Sequence, residues 1–313
     1  MPGILITTSS FNLDSPAIQA LRDDGYDIVM NPHARRLNEA EVSALLTPDI
    51  VGLIAGLEPL TRNVMTKAPT LRVISRCGTG MDNVDQDAAR ESGISVFNTP
   101  DAPAAAVAEL TVGLMLDALR GISAQDRDIR AGGWQKPAGG LLGAQTVGLI
   151  GLGRIGRRVA KLVSAFGAQV LAYDPVATQA DPFITLTSVD ELLARADIVS
   201  LHMPYTAENH HFMSAARIVL MKRGAILVNA ARGGLVDEAA LASALQTGVL
   251  SAAALDVFES EPYNGPLTGL PNMIMTAHAG SYAKETRALQ EEEAALNLLK
   301  GLREARKEGR AYA

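Results

Sequence analysis

From Val147 to Asp174 the chain reads VGLIGLGRIGRRVAKLVSAFGAQVLAYD, an apolar run that stops at Gly151-x-Gly153-x-x-Gly156 and passes at once into a helical stretch. Strand, glycine turn, helix and second strand within ~30 residues make a parallel βαβ unit, and this spacing at a helix mouth suits the pyrophosphate of a dinucleotide. Gly151 would allow the tight turn and Gly153 the close approach of backbone to phosphate. Gly156 would let helix and strand pack, with Arg154 and Ile155 beside the anion at the positive end of the helix dipole. Asp174 ends the next strand at close to the ~20-residue distance expected of an acid that takes the adenosine ribose hydroxyls. That carboxylate would repel the extra phosphate of NADP, and no Arg follows it in YDPVATQAD, so the pattern predicts NAD.

The βα alternation runs along the whole chain. Strands are expected at 4–7, 27–30, 50–55, 71–76 and 94–97, with helices at 15–24, 38–46, 62–67 and 83–91 between them. After an Ala-rich helical run to about Arg130 and a Gly/Pro-rich stretch around Trp134, which is expected to pack, a second series follows. Its strands are 147–152, 170–174, 198–202, 226–230, 252–257 and 273–276, and its helices include 154–166, 188–194 and 238–247. Ser15 before Pro16 reads as a helix cap, and Ser188 with Glu191 as a capping box. Leucines 289, 296, 299 and 302 give the tail a helical period that should return it to the first domain. A chain of 313 residues exceeds what one core usually organises, so two domains are expected.

A net charge of −6 opposes a nucleic acid or anionic membrane as partner, so an anionic ligand must meet locally placed Arg or Lys. The most apolar stretch, 107–119, contains Glu109 and Asp117, too short and too charged to cross a bilayer. The start has no basic region before its apolar run, which opposes a signal peptide. Cys77 is the one cysteine, which excludes an intrachain disulfide and fits a cytoplasmic location.

The segments CGTGMDNVD (77–85), VAELTVGLML (107–116), GLGRIG (151–156), NAARGGLVDE (229–238), ALDVFESEP (254–262) and TAHAG (276–280) occur in this order. Together they resemble the successive signatures of the D-2-hydroxyacid dehydrogenases, the phosphoglycerate dehydrogenase branch in particular, in a short form without regulatory domains. The resemblance implies an α/β fold in which a Rossmann-type, doubly wound cofactor domain (100–284) is inserted into a flavodoxin-like substrate domain (1–99 plus 285–313). It also implies a homodimer built mainly on the cofactor domain and a small anionic 2-hydroxy or 2-oxo acid as substrate.

By the same resemblance Arg232, Glu261 and His278 take the catalytic places, and their chemistry suits them. An imidazole at His278 can remove or return the hydroxyl proton as hydride moves at C2. A carboxylate at Glu261 can fix its tautomer, and the Arg232 fork can hold the substrate carboxylate and the C2 oxygen. Asp256 matches the residue that holds the nicotinamide carboxamide; Pro204, in LHMP after His202, and Ala230 match positions lining the cofactor. Gly78, Thr79 and Gly80 are expected to form a nest of N–H donors for the substrate carboxylate. Arg76 is either a distal-anion contact or a strand-end surface residue. His210 and His211 lack a third ligand at metal spacing, so a surface helix start is expected and no metal. After NTP (98–100) the chain has Asp101-Ala102-Pro103-Ala104 where the branch carries a Gly-Ala-Asn type segment. The alternatives to a phosphoglycerate-type enzyme are a glyoxylate/hydroxypyruvate-type reductase and a non-enzymatic NAD(H)-sensing protein on the same fold.

Overall fold

The run IVGLIA shows no polar alternation, and it forms β3 (Ile50–Ala55) with every residue buried, as a central parallel strand covered on both faces must be. In the computed structural model, which describes residues 1–309, this strand sits in a parallel sheet with β1 (Gly3–Ile6), β2 (Asp27–Met30), β4 (Val73–Arg76) and β5 (Ser95–Asn98). The order β2-β1-β3-β4-β5 is the flavodoxin-like one, with its switch point between β1 and β3. Helices α1 (Pro16–Asp23), α2 (Glu39–Leu45), α3 (Arg62–Thr66) and α4 (Gln86–Glu91) connect the strands. The predicted cap holds: the Ser15 hydroxyl accepts the Ile18 N–H at 3.3 Å, with Pro16 opening the helix.

The second sheet is also parallel: β6 (Thr146–Ile150), β7 (Gln169–Tyr173), β8 (Ile184–Leu186), β9 (Ile198–Leu201), β10 (Ala225–Asn229), β11 (Leu250–Leu255) and β12 (Met273–Met275). Its order, β12-β11-β10-β9-β6-β7-β8, is the doubly wound dinucleotide-binding arrangement with one added strand and a switch point between β6 and β9. The helices are α5 (Pro103–Arg120), α6 (Ile122–Arg130), α7 (Arg154–Ala165), α8 (Val189–Arg195), α9 (Ala215–Leu220) and α10 (Glu238–Gln246).

Some local expectations are corrected. The Ala-rich run is two helices, because Gly121 sits at φ +60 between them. Only half of the capping box exists: Ser188 accepts the Glu191 N–H, but the Glu191 carboxylate is taken by Thr187 and Arg195. Trp134 does not pack; it is 73% exposed.

The last helix, α11 (Lys284–Lys307), covers one face of the first sheet, where Ala294, Leu298 and Leu302 join Ile4, Ile54 and Val73 in the core. Leu289 and Leu296, half of the leucines that gave the helix its period, are 57% and 49% exposed. The chain divides into two compact units, Met1–Pro103 with Ala283 onward and Ala104–Tyr282, so the second is an insertion in the first. Residues 310–313 of the expected substrate domain lie outside the described residues. No helix among the described residues is long and apolar enough to cross a membrane.

Candidate active site

β6 ends in a turn that only glycines can make. Gly151 has φ +103, and a Cβ there would lie 2.6 Å from the His202 carbonyl; at Gly156 it would lie 2.1 Å from the Gly151 oxygen. The α7 N-terminus is thereby pressed against the strand end. Gly153 is its N-cap, with no side-chain cap and nothing within 4 Å of where a Cβ would be. First-turn N–H groups with no intrahelical acceptor and open space before them make an anion cradle, which fits the pyrophosphate of a dinucleotide.

Asp174 follows β7 and braces this turn. Its Oδ2 accepts the Leu152 N–H at 2.8 Å, and its Oδ1 accepts Val176 and Ala177 at 3.0 and 3.1 Å. Burial raises its pKa, but the three N–H bonds and the Arg157 charge outweigh that, so the carboxyl is held below its ordinary range and ionised. Three of its about four lone-pair sites are thus already engaged by backbone. At the other side of the switch point His202 bonds Ser200 Oγ at 2.9 Å, and burial pushes its pKa down to about 4. The Pro204 carbonyl accepts the Asn209 amide at 2.7 Å.

The turn after β10 carries Arg232. Buried Asn229, the last residue of the strand, clamps it from both sides: Oδ1 accepts the Ala231 N–H at 3.0 Å, and Nδ2 donates to the Arg232 carbonyl at 2.9 Å. Asn229 was missed from sequence, though an Asn closing an otherwise apolar strand was the available signal. The Arg232 guanidinium donates to the Ala231 carbonyl at 2.6 Å. A Cβ at Gly233 would lie 1.9 Å from the Phe258 carbonyl carbon, so this turn lies flush against the segment after β11 that carries Glu261.

Glu261 faces two donors. Its Oε1 accepts the Phe258 N–H at 3.1 Å, and its Oε2 lies 2.8 Å from Nδ1 of His278. His278, just beyond β12, is in the left-handed region at φ +52, an uncommon conformation for a residue with a Cβ. What holds it there is Asp256, 1% exposed. The Asp256 carbonyl accepts the His278 N–H at 2.8 Å. Its carboxylate accepts the Thr276 hydroxyl at 2.5 Å and the Ala279 and Gly280 N–H groups at 2.8 Å each. Asp256, expected as a cofactor contact, therefore shapes the loop that presents His278. The pair is partly exposed, 33% for His278 and 25% for Glu261, so its value lies in orientation more than in stability.

The other expected residues are in the first unit. The Gly78 N–H is committed to Thr99 Oγ1 at 2.7 Å, which removes it from the expected nest. The Thr79 and Gly80 N–H groups bond no other described residue. Arg76 is not a surface residue: it is 8% exposed, donates to the Cys77 carbonyl at 2.5 Å, and fills the space where a Gly78 side chain would go. It also acts on buried Glu58, whose carboxyl is pushed up by burial against the opposing pull of Thr7, backbone N–H groups and Arg76. Burial raises the Cys77 thiol to about 11, so it packs rather than reacts. His210 and His211 do not begin a helix; they follow the short 3₁₀ turn Ala207–Asn209 and meet Glu259.

A glycine cradle at a sheet switch point, an acid closing it and a carboxylate-held histidine at the same strand ends define a Rossmann-type dinucleotide-binding unit. The NAD-binding domain of the D-isomer specific 2-hydroxyacid dehydrogenases matches residues 112–280. D-3-phosphoglycerate dehydrogenase of Methanocaldococcus jannaschii is 45% identical over 235 residues, which cover 73% of this chain and 45% of that longer protein. Hydroxypyruvate reductase of Thermotoga maritima is 37% identical over 281 residues, 88% of this chain and 91% of that one. The solved D-lactate dehydrogenase of Aquifex aeolicus, in complex with NAD and lactic acid, matches with a TM-score of 0.83 at 30% identity over 97% and 96% of the two chains. This chain belongs to the D-isomer specific 2-hydroxyacid dehydrogenase family. It spans under half the length of the phosphoglycerate dehydrogenases it matches.

Proposed function

We propose that this protein is an NAD-dependent dehydrogenase acting at C2 of a small D-2-hydroxy or 2-oxo acid, of the phosphoglycerate dehydrogenase type. The observation that carries the reading is the 2.8 Å Glu261–His278 pair on a loop shaped by Asp256, in the same unit as the glycine cradle. Gly151, Gly153, Arg154, Ile155, Gly156 and Asp174 would hold the dinucleotide, with Pro204 and Ala230 lining it. Bound there, the nicotinamide supplies or accepts hydride at C2. With Nδ1 engaged by Glu261, His278 has Nε2 to take the hydroxyl proton in oxidation and return it in reduction. Arg232 donates to the substrate carboxylate and to the C2 oxygen, where negative charge develops during reduction. The family resemblance alone assigns the Thr79 and Gly80 N–H groups of the first unit to the substrate anion.

A second reading, a glyoxylate/hydroxypyruvate-type reductase, is favoured by the Thermotoga reductase, which this chain matches over nearly its whole length. NADH with a panel of 2-oxo acids tests both; tight NADH binding with no turnover on any would point instead to an NAD(H) sensor. In the same assay kcat/KM with NADH should exceed that with NADPH, because the Asp174 anion is held ionised at the ribose end. Equal values would remove Asp174 from the ribose site.

By the family resemblance Arg76, though 8% exposed and already bonded to the Cys77 carbonyl, is assigned to a second anion on the substrate. A phosphate, sulfonate or carboxylate at C3 that reaches this guanidinium gains a charge-assisted bond of about 1.5–3 kcal/mol, roughly 10- to 150-fold in kcat/KM. Phosphohydroxypyruvate should therefore be preferred over hydroxypyruvate, and Arg76→Ala should abolish the preference. Equal losses for both substrates would make Arg76 structural only, through Cys77, Gly78 and Glu58.

We further propose a cytoplasmic homodimer. Ile122, Ile129, Trp134 and Leu141, between 53% and 73% exposed along one segment of the second unit, supply apolar surface that a second copy would cover.

A further inference from the structure

We propose that His210, His211 and Glu259 form a binding site for one divalent transition-metal ion of the Zn²⁺, Co²⁺ or Ni²⁺ type, outside the His278–Glu261 pair. Neighbouring side chains on an extended chain point to opposite sides, so two consecutive histidines do not ordinarily chelate one ion. Here His211 is in the left-handed region at φ +52, and the two imidazoles come onto one side, stacked with centroids 3.8 Å apart. A left-handed backbone at a residue with a Cβ persists only where its surroundings impose it, and such outliers concentrate at functional positions. The surroundings are visible: the His211 N–H donates to the Gly234 carbonyl at 2.8 Å, and Met213 continues the pairing onto Leu235.

Glu259 comes from the segment after β11, and its carboxylate meets Nε2 of His211. One ligand atom from each of the three side chains lies within 4.8 Å of the others, close enough for modest side-chain rotations to reach the 2.0–2.2 Å bonds such ions require. The Tyr205 hydroxyl holds Nδ1 of His210 at 3.2 Å, the type of outer contact that orients a ligating imidazole. Glu238, whose Oε1 accepts the Glu259 N–H at 2.9 Å, adds a second carboxylate beside the cluster. Two imidazoles and a carboxylate, with water completing the sphere, suit borderline ions and not Mg²⁺ or Ca²⁺, which take oxygen ligands.

An ion here would join the segments after β9 and β11 around the turn that carries Arg232. Glu259 stands two residues before Glu261, so occupancy would stiffen the segment that orients His278. Binding to the folded chain alone would also raise the thermal midpoint with metal concentration.

The test is titration of untagged, chelator-treated protein with ZnCl₂ by calorimetry and with CoCl₂ by visible spectroscopy. One ion per chain is expected, with cobalt d–d bands. His211→Gln and Glu259→Gln should each lose the bands and the heat, and Tyr205→Phe should weaken binding by roughly 10- to 100-fold. His278→Asn should leave both intact, which separates this site from the other histidine–carboxylate pair. His210→Gln, at an exposed side chain, repeats the test if His211→Gln does not fold. No saturable binding, binding that survives the loss of either histidine, or binding lost with His278→Asn would each overturn the proposal.

Discussion

His278→Gln lowers kcat by roughly 10²- to 10⁴-fold in both directions, the usual contribution of a positioned general acid or base, while NADH affinity is nearly unchanged. The asymmetry follows from where the residue sits. The cradle that would bind the pyrophosphate is made by Gly151 to Gly156 and braced by Asp174, none of which depends on the imidazole. What is lost is the nitrogen that moves the proton. Fluorescence titration with NADH and steady-state kinetics in both directions separate the two quantities; an equal fall in cofactor affinity and kcat would mean that His278 acts by shaping the loop. Glu261→Gln should cost less, since an amide can still face Nδ1. Its effect should appear in kcat more than in KM, because Glu261 bonds the histidine that moves the proton.

Arg232→Lys lowers kcat/KM for reduction by about 10²- to 10³-fold, the scale seen when a donor to a developing oxyanion is removed. Charge is kept in this substitution, so the loss measures geometry: an ammonium cannot offer the planar fork that spans a carboxylate and a neighbouring oxygen. The fold should tolerate it, because Asn229 holds the turn through the Ala231 N–H and the Arg232 carbonyl, bonds that do not depend on which side chain Arg232 carries. Both KM and kcat should worsen. A Lys variant with wild-type kinetics would show that a point charge suffices and that the fork does not contact the reacting oxygen.

Much of this was legible along the chain because its determinants are local. Strand, glycine turn and helix around Gly151 follow from steric rules within a few residues, and the short, continuously apolar run IVGLIA suits a strand buried on both faces. The Ser15 cap before Pro16 likewise depends on one turn of backbone. Where the local signal was weak, reading failed: β8 is three residues long, and the break at Gly121 was hidden in an otherwise good helix sequence.

The sequence by itself determined two parallel α/β sheets, the glycine cradle with Asp174 on the following strand, and the order of the motifs that carry Arg232, Glu261 and His278. Only the tertiary structure decided what those side chains do to one another. Asp256 lies 22 positions before His278 yet fixes its loop, Gly78 is withdrawn from the nest by Thr99, and Glu259 meets a histidine pair 48 positions away. The reason is physical: parallel strands lie side by side, β4 beside β5 in one sheet and β9 to β12 in a row in the other, so the segments that leave them are neighbours whatever their separation along the chain. Hydrogen bonds between such segments depend on angles and distances of a few ångströms, which no spacing of residue types encodes.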